Sequence, residues 1–251
     1  MKRLATILLG VLAYVGSASA ADDSCLVAAH LVQADAPMPR VAAAARSKSL
    51  RVVVAGTNSS TLPGPNGPAL AYPARLEEAL RNQLPQVDIK VIPFVKLRQS
   101  AADMAAAFPK ILKDEKPALV LWQTGTADAI LGVPTDAFQA TLEESIGRIH
   151  DAGADIAFIN PQYSPRTDAV VATAPYTEAM RWVAAGNAVN LFDRQAVMRQ
   201  WGELGTFDLL AATKSLDTAA KVHNCIGRLL ADLVVEGIAA AGDEAKGKTG
   251  Q

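Results

Sequence analysis

Short apolar runs alternate with longer amphipathic stretches along most of this chain, and that alternation limits the fold more than any other feature. Ala118–Trp122 and Asp155–Ile159 are continuous apolar runs, which is typical of strands covered on both faces. Three further runs have the length of strands and end at turn residues: Arg51–Val54, Asp88–Pro93 and Ala188–Phe192. The pattern therefore predicts strands that are separated by longer elements.

The stretches between these runs have the periodicity of helices. In the first of them Leu76, Leu80 and Leu84 fall on one face. We predict helices over the following ranges: Tyr72–Leu84, Ser100–Lys113, Thr135–Ala152, Tyr176–Ala185 and Thr218–Ala241. Strands and helices that alternate in this way predict one α/β domain, in which a parallel sheet is covered on both faces and joined by right-handed crossovers.

The first twenty residues have the features of a secretory signal peptide. Met1-Lys2-Arg3 is basic, Leu4–Val15 is apolar, and Ala18-Ser19-Ala20 is a small-x-small cleavage site. The apolar part is shorter than the roughly 20 residues that a membrane-spanning helix needs. We therefore expect cleavage near Ala20, a secreted or periplasmic protein, and no membrane span after cleavage. The remaining chain is divided into a leading segment (21–49), the α/β domain (50–241) and a flexible tail (242–251).

Charge and cysteine content limit the partners that the chain can have. The 24 basic and 25 acidic residues nearly balance, which gives no reason to expect nucleic acid as a partner. Cys25 and Cys225 are the two cysteines, and in an oxidising compartment we expect them to form a disulfide that fastens the leading segment to the last helix. There is no CxxC pair and the three histidines are scattered, so we expect neither a metal nor a cofactor. The oligomeric state stays open.

Several segments resemble, in their order and spacing, the blocks of the SGNH/GDSL hydrolase family. They include Val52–Gly56, the stretches 71–76, 116–126 and 160–165, and Cys225–Ala231. The resemblance is greatest to secreted bacterial esterase-like members whose first block reads Gly-Ser-Ser-Ser-Thr. It implies a three-layer α/β/α, flavodoxin-like fold with a central parallel sheet, and the hydrolysis of esters by a serine nucleophile.

The same resemblance indicates that each of the four catalytic blocks has lost its functional residue. The nucleophilic serine matches Asn58, and the second-block glycine falls at Leu97 in Val95-Lys-Leu-Arg98. The third-block asparagine matches Ala127, and the catalytic histidine matches Asp217. Asparagine has no ionisable nucleophile, and a serine without a base is a poor one. We therefore expect a catalytically degenerate protein that acts in binding or assembly.

An active enzyme remains the alternative. A shift of one residue in the first block would make Ser59 the nucleophile, and Ser60 is the next hydroxyl. His223 would then serve as the base, with Asp217 or Asp208 as its orienting carboxylate. Such a protein would be a divergent carboxylesterase or a carbohydrate O-acetylesterase. Against this, the apolar stripe of the last helix places His223 beside buried positions. A small solute-binding domain unrelated to hydrolases is a third and weaker reading.

Polar side chains near the predicted strand ends could bind a ligand without catalysis. Loops that follow parallel strands collect at one edge of the sheet, where sites form. The amide, carboxylate, phenol and guanidinium groups there suit a hydroxyl-rich or acylated ligand such as a glycan or a small ester. The alternative is that 160–165 is simply a rigid, proline-bounded loop. The candidates are Asn58, Gln123, Asp128, Asn160, Gln162, Tyr163 and Arg166.

Overall fold

One parallel sheet forms the centre of the molecule. The computed structural model describes residues 25–210 and 216–249, so the predicted signal peptide lies outside the described residues. All neighbouring strands pair in parallel, in the order β2-β1-β3-β4-β5, which confirms the predicted sheet. The strands are β1 (Ser49–Gly56), β2 (Asp88–Val95), β3 (Leu119–Gln123), β4 (Asp155–Ile159) and β5 (Asn190–Phe192).

Helices connect the strands and cover both faces of the sheet. Each of the five helices predicted from the sequence is present. The described helices are α1 (Pro39–Arg46), α2 (Gly67–Leu70), α3 (Tyr72–Gln83), α4 (Ala101–Glu115), α5 (Thr126–Leu131), α6 (Thr135–Asp151), α7 (Pro165–Asp168), α8 (Ala174–Gly186), α9 (Arg194–Glu203) and α10 (Asp217–Thr249). No helix within 25–210 or 216–249 has both the length and the apolar content to cross a bilayer.

The last helix is longer than predicted. We expected it to end at Ala241, yet α10 continues to Thr249 and so includes most of the segment 242–251. Gly242 did not end the helix, because one glycine costs a helix only about 1 kcal/mol relative to alanine. An exposed ion pair between Lys246 and Asp243, three residues apart on this helix, fits its continuation.

Alternate residues of each central strand point to opposite faces and build two cores. On one face Val52, Leu121 and Ile159 pack with the helices α1, α3, α9 and α10. On the other face Val53 and Trp122 pack with α4, α6 and α8. All of these side chains are buried, which explains why β3 and β4 are continuous apolar runs.

The leading segment packs onto this core at two places. The predicted disulfide between Cys25 and Cys225 is confirmed and joins the segment to α10. Further along, the side chain of Asn190 on the edge strand β5 exchanges two hydrogen bonds with the backbone of Ala36, at 2.8 and 2.9 Å. The backbone N–H of Met38 donates to the carbonyl of Gly237 on α10.

Replacing Asp155 should destabilise the junction of α1 and the sheet. Its buried Oδ2 accepts the N–H groups of Arg40 and Val41 at 2.9 Å each, and its Oδ1 pairs with the Arg40 guanidinium at 3.2 Å. In Asp155→Ala these helix N–H groups lose their acceptor, so we expect the free energy of unfolding to fall by about 2–4 kcal/mol. Urea denaturation measures it. Arg40→Ala is the matched control, because it removes the ion pair and keeps both backbone hydrogen bonds to Oδ2. A larger fall in the free energy of unfolding in Arg40→Ala than in Asp155→Ala would contradict this account.

Candidate active site

A tight turn after β1 places three polar side chains at the carboxyl edge of the sheet. Gly56 ends the strand, and a Cβ atom on it would lie 2.0 Å from Ser60 Oγ, so only glycine fits there. Asn58 to Ser60 then form one turn of 3₁₀ helix. Their side chains differ in exposure: Asn58 is exposed, Ser59 is half-buried and Ser60 is buried. The hydroxyl of Ser59 is therefore partly accessible to solvent, whereas that of Ser60 is not.

Gln123, at the end of β3, connects both serines. Its Nε2 donates to Ser59 Oγ at 2.5 Å, and its Oε1 accepts from Ser60 Oγ at 2.7 Å. Ser60 Oγ also lies 2.9 Å from the phenol oxygen of Tyr72. Burial raises the pKa of Tyr72 to about 12, against the opposing effects of the Arg194 cation and the Ser60 hydrogen bond. The phenol is therefore neutral at physiological pH and cannot take a proton from Ser60.

Arg194 is the buried cation of the site. This residue begins α9 and is fully buried, and its Nη1 donates to the Ser59 carbonyl at 2.9 Å and to Gln123 Oε1 at 3.0 Å. Its Nη2 lies 3.3 Å from Gln162 Oε1, and its Cζ lies 5.5 Å from the ring centre of Tyr72. Burial lowers the pKa of Arg194 to about 10, which still leaves it charged at neutral pH.

His223 lies beside this network in a state that does not suit a base. The backbone N–H of Tyr72 donates to its Nδ1 at 2.9 Å, so in the neutral ring the proton is on Nε2. Burial, and secondly the nearby Arg194 cation, lower the pKa of His223 to about 3. No hydrogen bond joins it to Ser59 or Ser60 within the part of the chain that the structure describes. A triad histidine instead donates from Nδ1 and accepts at Nε2.

The loop in which the second block is predicted contains Leu97 and Arg98. Arg98 has φ of +58°, the left-handed conformation that glycine adopts most readily. Its backbone N–H donates to Asn58 Oδ1 at 3.3 Å, whereas the Leu97 side chain is largely exposed. The Asn58 side chain therefore occupies the backbone N–H of Arg98.

The predicted position of the third-block asparagine, Ala127, lies at the start of α5 beside a buried carboxylate. Ala127 lines the cleft and has no side-chain amide. The neighbouring Asp128 is buried and accepts from the N–H groups of Ala101 and Gly125 at 2.9 and 3.3 Å. Burial raises the pKa of Asp128, although these hydrogen bonds oppose the shift. Asp128 therefore joins the α4 and α5 termini and is turned away from a ligand.

The remaining candidates from the sequence lie in different surroundings. Asn160 is fully buried, donates to Asp193 Oδ1 and accepts the N–H of Gln195, so it fixes the start of α9. Tyr163 lies under the guanidinium of Arg199, 4.9 Å from ring centre to Cζ. Arg166 is exposed on the short helix α7, and Asp217 is exposed in the first turn of α10.

A cleft of about 480 Å³ opens between these elements. Of the predicted residues it brings together Asn58, Ser59, Ala127, Gln162 and His223. Asp128, Asn160 and Arg166 do not line it. Arg98 is the charged residue among its lining groups. Across the ranges 25–210 and 216–249, no group of three or more His, Cys, Asp or Glu side chains is placed to hold a metal ion.

Two residues of the network carried no functional prediction from the sequence. Tyr72 begins α3 and was assigned only to the helix, and Arg194 lies just after the last strand. The sequence does contain a signal for Arg194, because an arginine directly after a buried strand lies at the ligand edge of an open α/β sheet. Nothing in the pattern around Tyr72 distinguishes it from a packing residue.

A parallel sheet in this strand order, with helices on both faces and polar turns at its carboxyl edge, defines the SGNH hydrolase-like α/β/α fold. A model of the non-GDSL lipase-like family matches residues 24–240, and the protein therefore belongs to that family. Among curated protein sequences, none is similar enough to this chain to match it.

Solved structures of esterases share the fold. TesA is 20% identical over 73% of this chain and 99% of its own, with a TM-score of 0.57. The acetylxylan esterase Axe2 from Geobacillus stearothermophilus, solved as a catalytic mutant, is 16% identical over 74% of this chain and 94% of its own, with a TM-score of 0.59. The psychrotrophic esterase EstA from Pseudoalteromonas sp. is 18% identical over 74% and 97%, with a TM-score of 0.56. At these identities the likeness shows the fold alone.

Proposed function

We propose that this protein is a secreted, non-hydrolytic member of its family that binds a ligand in the cleft. The observation that carries the proposal is the hydrogen bond from the Tyr72 backbone N–H to His223 Nδ1. It leaves the ring proton on Nε2, so this nitrogen has no lone pair with which to accept a proton from a serine. Without a base, the hydroxyls of Ser59 and Ser60 remain poor nucleophiles at neutral pH.

The oxyanion side of the cleft supports the same proposal. Asn58 Oδ1 accepts the Arg98 N–H, and Ala127 brings no amide. The loss of a single oxyanion donor costs an ester hydrolase about 10²–10³ in turnover. A nucleophile, a base and two donors would all have to be replaced for hydrolysis to proceed.

An acylated carbohydrate is the ligand class that best suits the cleft. Asn58, Ser59 and Gln162 offer amide and hydroxyl groups, as sugar hydroxyls require, while Leu62 and Ile130 offer apolar surface for a short acyl group. Axe2 is named an acetylxylan esterase, and the shared fold brings this class of ligand to the present chain as a proposal. Secretion is supported by the signal-like N-terminus and by the disulfide, which suits an oxidising compartment.

Hydrolysis of p-nitrophenyl acetate by the mature chain tests the proposal. We expect a rate no higher than that of the Ser59→Ala and Ser60→Ala variants, because neither hydroxyl is activated. A rate that clearly exceeds the heat-denatured control and falls about 100-fold or more in one serine variant would instead support the active esterase.

A further inference from the structure

A positive charge lies buried behind the cleft without a carboxylate beside it. Arg194 is fully buried, and no Asp or Glu oxygen of the described ranges lies within 4.0 Å of its guanidinium nitrogens. Its hydrogen bonds go to neutral acceptors, namely one carbonyl and the amide oxygens of Gln123 and Gln162. A buried charge that lacks a partner of opposite sign is costly, so this one has a reason to be balanced by a ligand.

One edge of this guanidinium is nearly unused. Among residues 25–210 and 216–249, buried Arg194 Nε has no hydrogen-bond partner. Nη2, on the same edge, has only the contact of 3.3 Å with Gln162 Oε1, whereas Nη1 makes the two shorter bonds. The Nε and Nη2 donors form the fork that binds the two oxygens of a carboxylate.

A small recess lies next to the cleft and includes Arg194 in its lining. It has a volume of about 180 Å³, is also lined by Ser164 and Thr218, and shares Gln162 and His223 with the cleft. Because His223 Nδ1 accepts a hydrogen bond, its Nε2–H is a donor in this lining. The amide group of Gln162 is a second neutral donor there.

Asp208 also lines the recess, and its carboxylate oxygens lie more than 4.0 Å from the guanidinium nitrogens of Arg194. Asp208 is exposed, and its Oδ1 accepts the N–H of Leu210. Water therefore screens this charge, while the charge of Arg194 is shielded from water. The recess thus combines one buried positive charge and neutral donors with one exposed, water-screened carboxylate.

We propose that the recess binds the carboxylate of an acidic sugar, one of whose oxygens takes the place of Gln162 Oε1 on Arg194. This inference rests on the proposed function, because the sugar ring would occupy the cleft. A single positive charge with neutral donors matches a monoanion better than the dianion of a phosphate monoester. Gln162 is half-buried, and rotation of its side chain would uncover the Nε and Nη2 edge.

Two variants at one position separate this role from a merely structural one. In Gln162→Glu the new carboxylate is a tethered occupant of the proposed anion position. It should weaken the binding of D-glucuronate at least ten-fold while it raises the melting temperature, because it pairs with Arg194. Gln162→Ala removes the amide but adds no charge, so its affinity for glucuronate should fall less than that of Gln162→Glu, and its preference for glucuronate over glucose should persist.

Titration of the isotope-labelled mature chain by NMR, with three sugars of the same ring, completes the test. We expect D-glucuronate to bind at least ten-fold more tightly than D-glucose and than glucose 6-phosphate. Equal affinity for glucose, equal affinity for glucose 6-phosphate, or unweakened binding by Gln162→Glu would each overturn the proposal. Ester hydrolysis is measured separately, so a failure of the non-hydrolytic function and a failure of the anion site can be told apart.

Discussion

Loss of the disulfide between Cys25 and Cys225 should lower the free energy of unfolding by about 3–5 kcal/mol. The bond closes a loop with a sequence separation of 200 residues, and a crosslink over so long a loop restricts the unfolded chain strongly. Both sulfurs lie among buried residues, so the double variant Cys25→Ala, Cys225→Ala avoids burying new hydroxyls. For a chain of this size the loss corresponds to a fall of about 10 °C in the melting temperature.

Reduction of the wild type provides the matched control for this prediction, since it removes the bond and keeps both sulfur atoms. Reduced wild type and the double variant should melt at similar temperatures, well below the oxidised protein. If reduction releases two thiols and leaves the melting temperature unchanged, the stabilising role of the bond is disproved.

Acidification should destabilise the protein through His223. Burial and the Arg194 cation hold its pKa near 3 in the folded state, against about 6.5 in an unfolded chain. Below pH 6.5 the unfolded chain binds a proton that the folded chain excludes, so stability falls as the pH falls and levels off near pH 3. From pH 7 to pH 5 this one group should remove about 2 kcal/mol.

The variant His223→Asn isolates this contribution. Its amide oxygen can still accept the Tyr72 N–H, but the side chain does not titrate. Urea denaturation at several pH values should show that the stability of the wild type, relative to the variant, declines by about 2 kcal/mol between pH 7 and pH 5. Parallel curves would mean that His223 titrates near its ordinary pKa, and that it could serve as a base.

The fold could be predicted from the sequence wherever burial is continuous. β4 matches its predicted range and β3 is shifted from its own by one residue, because strands covered on both faces form unbroken apolar runs in the sequence. The helices α1, α2, α5, α7 and α9 escaped prediction, and α9 shows one reason. The buried side of α9 includes Arg194 and Gln195, which hydrogen bonding rather than hydrophobicity keeps inside. The helix α1 has only 8 residues, too few for a helical period to stand out in the sequence.

The location of the candidate site could be predicted from the sequence, but its hydrogen-bond network could not. Family spacing led to Asn58, Ser59 and Ala127, and all three line the cleft. The sequence could not reveal that Gln123 points inward to join two serines, since a polar residue at a strand end can point to solvent or into a network. Nor could it show which atom of His223 accepts the Tyr72 N–H, because that depends on how α3 packs against α10.

Covalent labelling by a fluorophosphonate, followed by intact mass, tests most directly whether this hydrolase fold lacks an activated serine. The mature wild-type chain would be incubated with the probe at pH 7.5, beside Ser59→Ala, Ser60→Ala and an active serine esterase as a positive control. We predict that the esterase gains one phosphonyl group while the wild-type chain keeps its unmodified mass. A stoichiometric adduct on the wild type that is lost in Ser59→Ala or Ser60→Ala would contradict the account.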